Sequence, residues 1–143
     1  MKISTKGRYA LRLMLDLALA SPGEPVPLRD VAQRQEISDK YLEQIVTPLS
    51  RAGLVRSVRG AGGGYLLTRA PSAYTVGEIL RPLEGSLAPV SCLAQGAAPC
   101  RRMSSCRTYD MWKGLDDLIE DYFGKITLAD LAAPDEAGND YVI

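Results

Sequence analysis

The sequence predicts a mainly helical protein with one small β-hairpin, and three observations lead to this fold class. Apolar residues recur at helical spacing early in the chain, a glycine-rich turn then separates two runs typical of β-strands, and a longer amphipathic helix follows near the end. The length of 143 residues suits one domain, and a hydrophobic content of 46% is enough to form a core.

Three helices are predicted in the first part of the chain. The first spans residues 6–20, and the Pro and Gly residues of 21–25 end it. The second spans 28–35 and leads into a turn at 36–38. Ser38 is a favourable N-cap for the third helix, over 39–52, in which Pro48 is expected to introduce a kink.

A β-hairpin is predicted next, with strands at 54–58 and 65–68 joined by a mobile turn at 59–64. Three helices followed by a hairpin is the element order of a winged helix-turn-helix. We therefore assign residues 1–70 to a winged helix-turn-helix DNA-binding domain. A generic small α+β domain is the alternative interpretation.

The second half is predicted to serve another purpose. Thr75 has capping-box spacing and begins a short helix, 84–105 forms an irregular loop, and a longer helix covers about 106–123. The apolar stripe of that helix predicts a homodimer contact, with packing onto its own domain as the alternative; its members are Tyr109, Trp112, Leu115, Ile119 and Tyr122. Residues 71–133 are thus assigned to a cysteine loop and a dimerisation helix, with a short helix at 127–132 and a flexible tail at 134–143.

Charge and composition narrow the class of function. Residues 1–69 hold 11 Lys and Arg against 6 Asp and Glu, whereas the remaining residues have the opposite balance, so the first half suits DNA. No long apolar run predicts a membrane span, and we expect a cytoplasmic protein. The chain has no histidine, no paired catalytic carboxylates and no cofactor loop. We therefore expect neither an enzyme nor a small-molecule substrate.

The start of the third helix is the candidate recognition segment. Ser38, Lys40 and Tyr41 are able to hold phosphates, Gln44 to pair with adenine, and Glu43 to accept a hydrogen bond from cytosine. A solvated polar helix face is the alternative interpretation of the same pattern.

The predicted wing strengthens the DNA-binding interpretation. Arg56, Arg59 and Arg69 lie on or beside the hairpin, and glycines such as Gly60 let the backbone approach DNA closely. An arginine beside them is able to enter a narrow minor groove.

Cys92, Cys100 and Cys106 lie within fifteen residues of one another and form the candidate metal site. Their spacing is wider than structural zinc sites prefer, and thiolates are also natural ligands of iron–sulfur clusters. Three neighbouring arginines (Arg101, Arg102 and Arg107) are expected to lower the thiol pKa values. The residues alone leave an iron–sulfur cluster, a zinc site and a redox-sensing thiol set as alternatives of similar weight.

Three segments closely resemble the IscR–NsrR–CymR family of bacterial regulators: 1–11, 37–45 and 58–65. The resemblance extends from Met1 to about Leu131. It implies a homodimer that binds palindromic double-stranded operators through the helix from Ser38 and through Arg59, and a repressor is expected rather than an activator. It also implies that Glu43 helps to discriminate between operator classes.

The same resemblance implies that the three cysteines bind an iron–sulfur cluster, with 2Fe–2S favoured over 4Fe–4S. CymR-like members lack this cysteine set. IscR-like members have a histidine three residues after the third cysteine, where this chain has Tyr109 followed by Asp110. NsrR-like members use an acidic residue of the first helix, where this chain has Arg8. The fourth ligand is therefore open between Asp110, Tyr109, another group of the dimer and an exogenous ligand.

Overall fold

A computed structural model describes residues 2–20 and 23–134 of the chain. These residues form six α-helices and a two-stranded antiparallel sheet, so the predicted fold class is confirmed. In chain order the elements are α1 (Thr5–Leu19), α2 (Leu28–Gln35), α3 (Asp39–Arg51), β1 (Val55–Val58), β2 (Gly64–Leu67), α4 (Val76–Glu84), α5 (Tyr109–Lys125) and α6 (Leu128–Ala132). The tail predicted at 134–143 lies outside the described residues except for Pro134.

The helix-turn-helix is formed by α2 and α3. Glu36 ends α2 in the left-handed conformation, with φ of 55°, and this tight turn lets α3 begin three residues later, at Asp39. Ser38 caps α3 as predicted, because its hydroxyl accepts a hydrogen bond from the Tyr41 amide at 3.2 Å. Pro48 lies inside α3 without ending it.

The hairpin is anchored to the segment before α2. Ser57 is opposite Tyr65 in the two-stranded ladder, and Tyr65 also exchanges two backbone hydrogen bonds with Val26, at 3.0 and 2.9 Å. A Cβ atom on Gly64 would lie only 2.2 Å from the Val26 carbonyl oxygen. Glycine at this position therefore permits the close approach that fixes the base of the wing.

Two apolar clusters hold the helices together. The larger lies among α1, α2, α3 and β1, and Tyr74, Ile79 and Leu128 from later elements are fully buried in it. The smaller contains Val76, Leu80 and Leu87, against which part of α5 packs. The larger core thus joins side chains from both sides of the domain boundary predicted at residue 70, and that boundary stays a prediction.

The α5 helix covers the body of the protein with only one of its faces. Ile119 and Phe123 pack on the smaller cluster, and none of the 17 residues of α5, all of which the structure describes, is buried. A second apolar face remains exposed, consisting of Met111, Leu115, Leu118 and Tyr122. The predicted single stripe therefore divides into two faces, roughly 100° apart at the angular spacing of an α-helix.

Within the described residues, no helix has both the length and the apolar character needed to cross a bilayer.

Candidate nucleic-acid interface and metal centre

An open groove of about 430 Å³ separates the start of α3 from the hairpin. Asp39 and Glu43 line it from α3, and Ser57 and Gly60 line it from the hairpin. Arg29, at the start of α2, completes the lining and was not selected in the sequence. The structure therefore places the predicted recognition helix and the predicted wing around one surface.

The candidate contacts on α3 lie on its accessible face. Ser38, Lys40, Glu43 and Gln44 are exposed, whereas the apolar residues of α3 are buried beneath them. The Ser38 hydroxyl accepts the capping hydrogen bond, and its own hydrogen is left to donate to a phosphate. This face combines donors and acceptors that are able to contact phosphates and base edges.

Tyr41 is held differently, because its ring is half-buried against α1. It meets the Tyr9 ring edge-to-face, with centroids 5.7 Å apart and an interplanar angle of 87°. The Arg12 guanidinium lies 5.0 Å from the centroid of Tyr9, and its Nε donates to Gln35 Oε1 at 3.1 Å. Residues of α1 thus support α3 and the turn before it. Their helical spacing marked α1 as amphipathic, but no local signal indicated these particular contacts.

The wing arginines occupy three different environments. Arg59 is exposed at the tip beside Gly60, whose φ of 106° favours glycine. Arg56 lines a separate cavity of about 360 Å³ between α1 and the hairpin, because alternate residues of a strand point to opposite faces. Arg69 stacks 4.4 Å from the Tyr74 centroid and pairs with Glu78 at 3.0 Å. Only Arg59 is placed at the exposed tip beside the groove.

A buried acidic residue fixes α2 against α1. The Asp16 carboxylate is 2.7 Å from Arg34 Nη2 and accepts a hydrogen bond from Nε2 of the Gln35 side chain at 2.9 Å. The hydrogen bond with Asp16 raises the pKa of Arg34, and burial opposes this effect. The helix that precedes the recognition turn is therefore held by a charged pair.

The three candidate metal ligands lie on the segment between α4 and α5. Cys92 is in a single 3₁₀ turn, Ser91–Leu93, and Cys106 follows another, Met103–Ser105. All three thiols are free; Cys92 and Cys100 are exposed and Cys106 is partly exposed. Within residues 2–20 and 23–134, no three Cys, Asp or Glu side chains come close enough together to hold a metal ion.

Cys106 has the most distinct electrostatic environment of the three thiols. Its Sγ lies 3.4 Å from Thr108 Oγ1, and the pKa of the thiol is lowered mainly by this side-chain hydrogen bond. Burial raises the pKa, while Arg102 is the weakest of the influences that lower it. The predicted lowering of the thiol pKa by a nearby arginine is thus present, but it is smaller than the effect of the hydrogen bond with Thr108.

The donor chemistry fits an iron–sulfur cluster. The candidates are three thiols, and a lowered pKa at Cys106 favours the thiolate that binds iron. The thiols are not brought together in the described structure, so a common site requires a change in conformation of the segment 85–108, whose regular structure consists of single 3₁₀ turns. Tyr109 and Asp110, the candidate fourth ligands, occupy the first two positions of α5.

The chain matches the family model Rrf2, described as an iron-dependent transcriptional regulator, over residues 3–134. The chain belongs to the Rrf2 family. It is 45% identical over 131 residues to the HTH-type transcriptional regulator IscR of Erwinia tasmaniensis, covering 92% of this chain and 78% of that protein. It is 44% identical to IscR of Escherichia coli O1:K1 / APEC over the same length, covering 92% of this chain and 80% of that protein.

Two solved structures of named regulators agree with this assignment. CymR, the global cysteine regulator of B. subtilis, has a TM-score of 0.75 and 42% identity, with 92% of this chain and 96% of that chain covered. T. potens IscR has a TM-score of 0.72 and 42% identity, with 92% of this chain and 85% of that chain covered. The predicted resemblance and winged-helix class are confirmed. This Rrf2 protein is a DNA-binding transcription regulator of the IscR type, a class that is not enzymatic.

Proposed function

We propose that this Rrf2 protein is a homodimeric cytoplasmic repressor whose operator affinity depends on an iron–sulfur cluster held by Cys92, Cys100 and Cys106. The observation that carries the proposal is the position of the three free thiols. They lie on the irregular segment that connects the body of the protein to the partly uncovered helix α5. A change in the conformation of this loop is therefore able to affect both the DNA-binding part of the protein and the proposed dimer contact.

The DNA contacts are assigned to two elements around the groove. In this assignment Ser38, Lys40 and Tyr41 hold phosphates, while Glu43 and Gln44 read base edges in the major groove. Arg59 enters the adjacent minor groove, and Gly60 allows the hairpin backbone to approach. Arg56 lies on the other face of β1 and contacts DNA only where the duplex bends around the hairpin.

The cysteine thiolates supply three ligands, and a 2Fe–2S cluster is preferred to a 4Fe–4S cluster. When bound, such a cluster makes the loop responsive to oxidants and to iron supply. The fourth position is assigned to Asp110 or Tyr109, because both lie at the start of α5 close in sequence to Cys106. The guanidinium groups of Arg101 and Arg102 offset the negative charge of the thiolates.

Dimerisation is assigned to the exposed apolar face of α5. Leu118 and Tyr122 are 67% and 64% exposed, which is unusual for large apolar residues one helical turn apart. They border an apolar groove of about 410 Å³ that a second copy of the helix is able to fill. A two-fold contact of this kind places two recognition helices on one palindromic operator.

Anaerobic reconstitution with iron and sulfide tests the cysteine assignment. We expect visible absorption, two moles of iron per chain, and loss of both in Cys92→Ala. Ser91→Ala is the matched control, because Ser91 is exposed on the same 3₁₀ turn and supplies no thiol. Retention of the absorption by Cys92→Ala would refute the assignment of Cys92.

The alternative is the same regulator with redox thiols or a zinc site. The exposure of the cysteines favours the redox alternative, since accessible free thiols are susceptible to oxidation without any metal. Metal analysis of protein isolated without oxygen separates the alternatives. One zinc per chain indicates a zinc site, and absence of both metals together with a reversible change in thiol titre indicates a redox switch.

A further inference from the structure

The side chain of Tyr74 joins the two ends of the hairpin. It is fully buried, and its hydroxyl donates to the Leu54 carbonyl oxygen at 2.8 Å. The Tyr74 hydroxyl oxygen in turn accepts hydrogen bonds from the Thr68 backbone amide at 2.8 Å and the Arg69 backbone amide at 3.0 Å. Leu54 directly precedes β1 and Thr68 directly follows β2, so one hydroxyl fixes both strand ends.

Further contacts tie this junction to the rest of the protein. The Arg69 guanidinium lies over the Tyr74 ring and pairs with Glu78 of α4. The backbone carbonyl of Tyr74 accepts a hydrogen bond from the Leu128 amide at 3.0 Å. The base of the hairpin is thereby connected to α4 and to the segment that follows α5.

We propose that Tyr74 is a positioning residue for DNA binding, and that its hydroxyl sets the orientation of the hairpin relative to α3. This inference rests on the proposed contact between Arg59 and DNA. A strand of four residues is about 13 Å long, so a tilt of about 10° at its base moves the tip by about 2 Å. A displacement of that size breaks a hydrogen bond, whose useful range spans only about 0.5 Å.

The hydroxyl is separable from the packing role of the ring. A phenylalanine ring fills nearly the same volume in the core, so Tyr74→Phe removes every hydrogen bond of the hydroxyl and keeps the apolar contacts. Ile79→Val is the matched control, because Ile79 is fully buried in the same core and its side chain makes no hydrogen bond. It lowers stability without altering the base of the hairpin.

The test is a double-mutant cycle with Arg59→Ala. The binding probe is a duplex that the wild-type protein selects from a random-sequence pool, and fluorescence anisotropy reports its affinity. We expect Arg59→Ala to weaken binding about tenfold or more, as for loss of a specific arginine contact. We expect Tyr74→Phe to weaken binding about fivefold alone, a loss of about 1 kcal/mol, and to have no further effect in the Arg59→Ala protein. Ile79→Val leaves affinity unchanged.

The outcomes separate the inference from the proposed function. If Arg59→Ala leaves the affinity for the duplex unchanged, the proposed contact between Arg59 and DNA is overturned, and so is the positioning role of Tyr74. If Arg59→Ala weakens DNA binding, and Tyr74→Phe weakens it by the same factor in the Arg59→Ala protein as in the wild type, only the positioning role is overturned. If Tyr74→Phe does not fold, Thr68→Val is used in its place. Thr68 is exposed, and its hydroxyl joins Gly53 and Tyr74 at the same junction, so the same loss of additivity is expected.

Discussion

The carboxylate of Glu84, in the last turn of α4, lies 2.5 Å from the hydroxyl of Ser4, the N-cap of α1. The same carboxylate oxygen accepts a hydrogen bond from the Ser4 amide at 3.0 Å. Gly7 provides the space, because a Cβ atom there would lie 2.2 Å from Glu84 Oε1. The residue immediately before the cysteine-containing segment is therefore bound to the start of the helix that supports Tyr41.

Gly7→Ala tests this contact, because its effect on the free energy of unfolding is expected to change sign when the Glu84 side chain is removed. Alanine is favoured over glycine in a helix by up to about 1 kcal/mol, but its methyl group displaces Glu84 and costs hydrogen bonds of about 0.5–1.5 kcal/mol each. We expect Gly7→Ala to be neutral or destabilising in the wild type and stabilising by up to about 1 kcal/mol in Glu84→Ala. Urea unfolding of the four proteins gives the answer, and equal effects in both backgrounds would contradict the contact.

Arg34→Ala is expected to destabilise the protein by about 1–3 kcal/mol, because it leaves the buried Asp16 carboxylate with fewer partners. The guanidinium is half exposed, which keeps the loss below that of a fully buried pair. Arg29→Ala is the control, since Arg29 is 82% exposed and 3.9 Å from Asp30. Denaturant midpoints compare the two variants, and similar small losses would show that the Asp16 pair contributes little.

Leu118→Glu is expected to convert the proposed homodimer into a monomer, because it places a charge in the centre of the exposed apolar face of α5. Asp117→Lys changes the charge of the neighbouring residue, which points away from that face by roughly 100°. It is expected to remain dimeric. Sedimentation equilibrium measures the association state. A monomeric wild type, or a dimeric Leu118→Glu, would show that α5 is not the interface.

The capping box of α6 predicts an acid-dependent loss of stability. The Thr127 amide donates to Asp130 at 2.8 Å, and this backbone hydrogen bond, followed by one with the Thr127 side chain, lowers the pKa of Asp130 below its ordinary value of 3.8. Because the folded-state pKa is lowered, the contribution is present above the ordinary value and is lost as the pH falls through the lowered pKa. Asp130→Asn should therefore lose less stability between neutral pH and about pH 3 than the wild type in urea unfolding. Equal losses would contradict this role.

The sequence predicts best those features that depend on neighbouring residues. The bounds of α2, the Ser38 cap and the Thr75 capping box follow from local composition, and the structure has all three. The α5 helix begins at Tyr109, three residues later than expected, because Cys106 is extended and residues 107–108 form a turn.

Long-range contacts account for the differences at the candidate site. Arg56 and Arg69 are as basic as Arg59, yet strand alternation turns Arg56 to the other face and Tyr74 engages Arg69. Tyr74 itself carried no signal in the sequence, because its partners are fixed only when both ends of the hairpin meet. Likewise, the two apolar faces of α5 become distinct only when α4 covers one of them.

If the cysteine loop controls operator binding, removal of the cluster must change the affinity of the protein for DNA. The affinity for the selected duplex is measured on an anaerobically reconstituted sample before and after removal of the cluster, with Cys100→Ala treated in parallel. We predict that the affinity of the wild type changes about tenfold or more on removal, a coupling of about 1.4 kcal/mol, and that Cys100→Ala shows no change. Equal affinities of the two wild-type forms would contradict the claim.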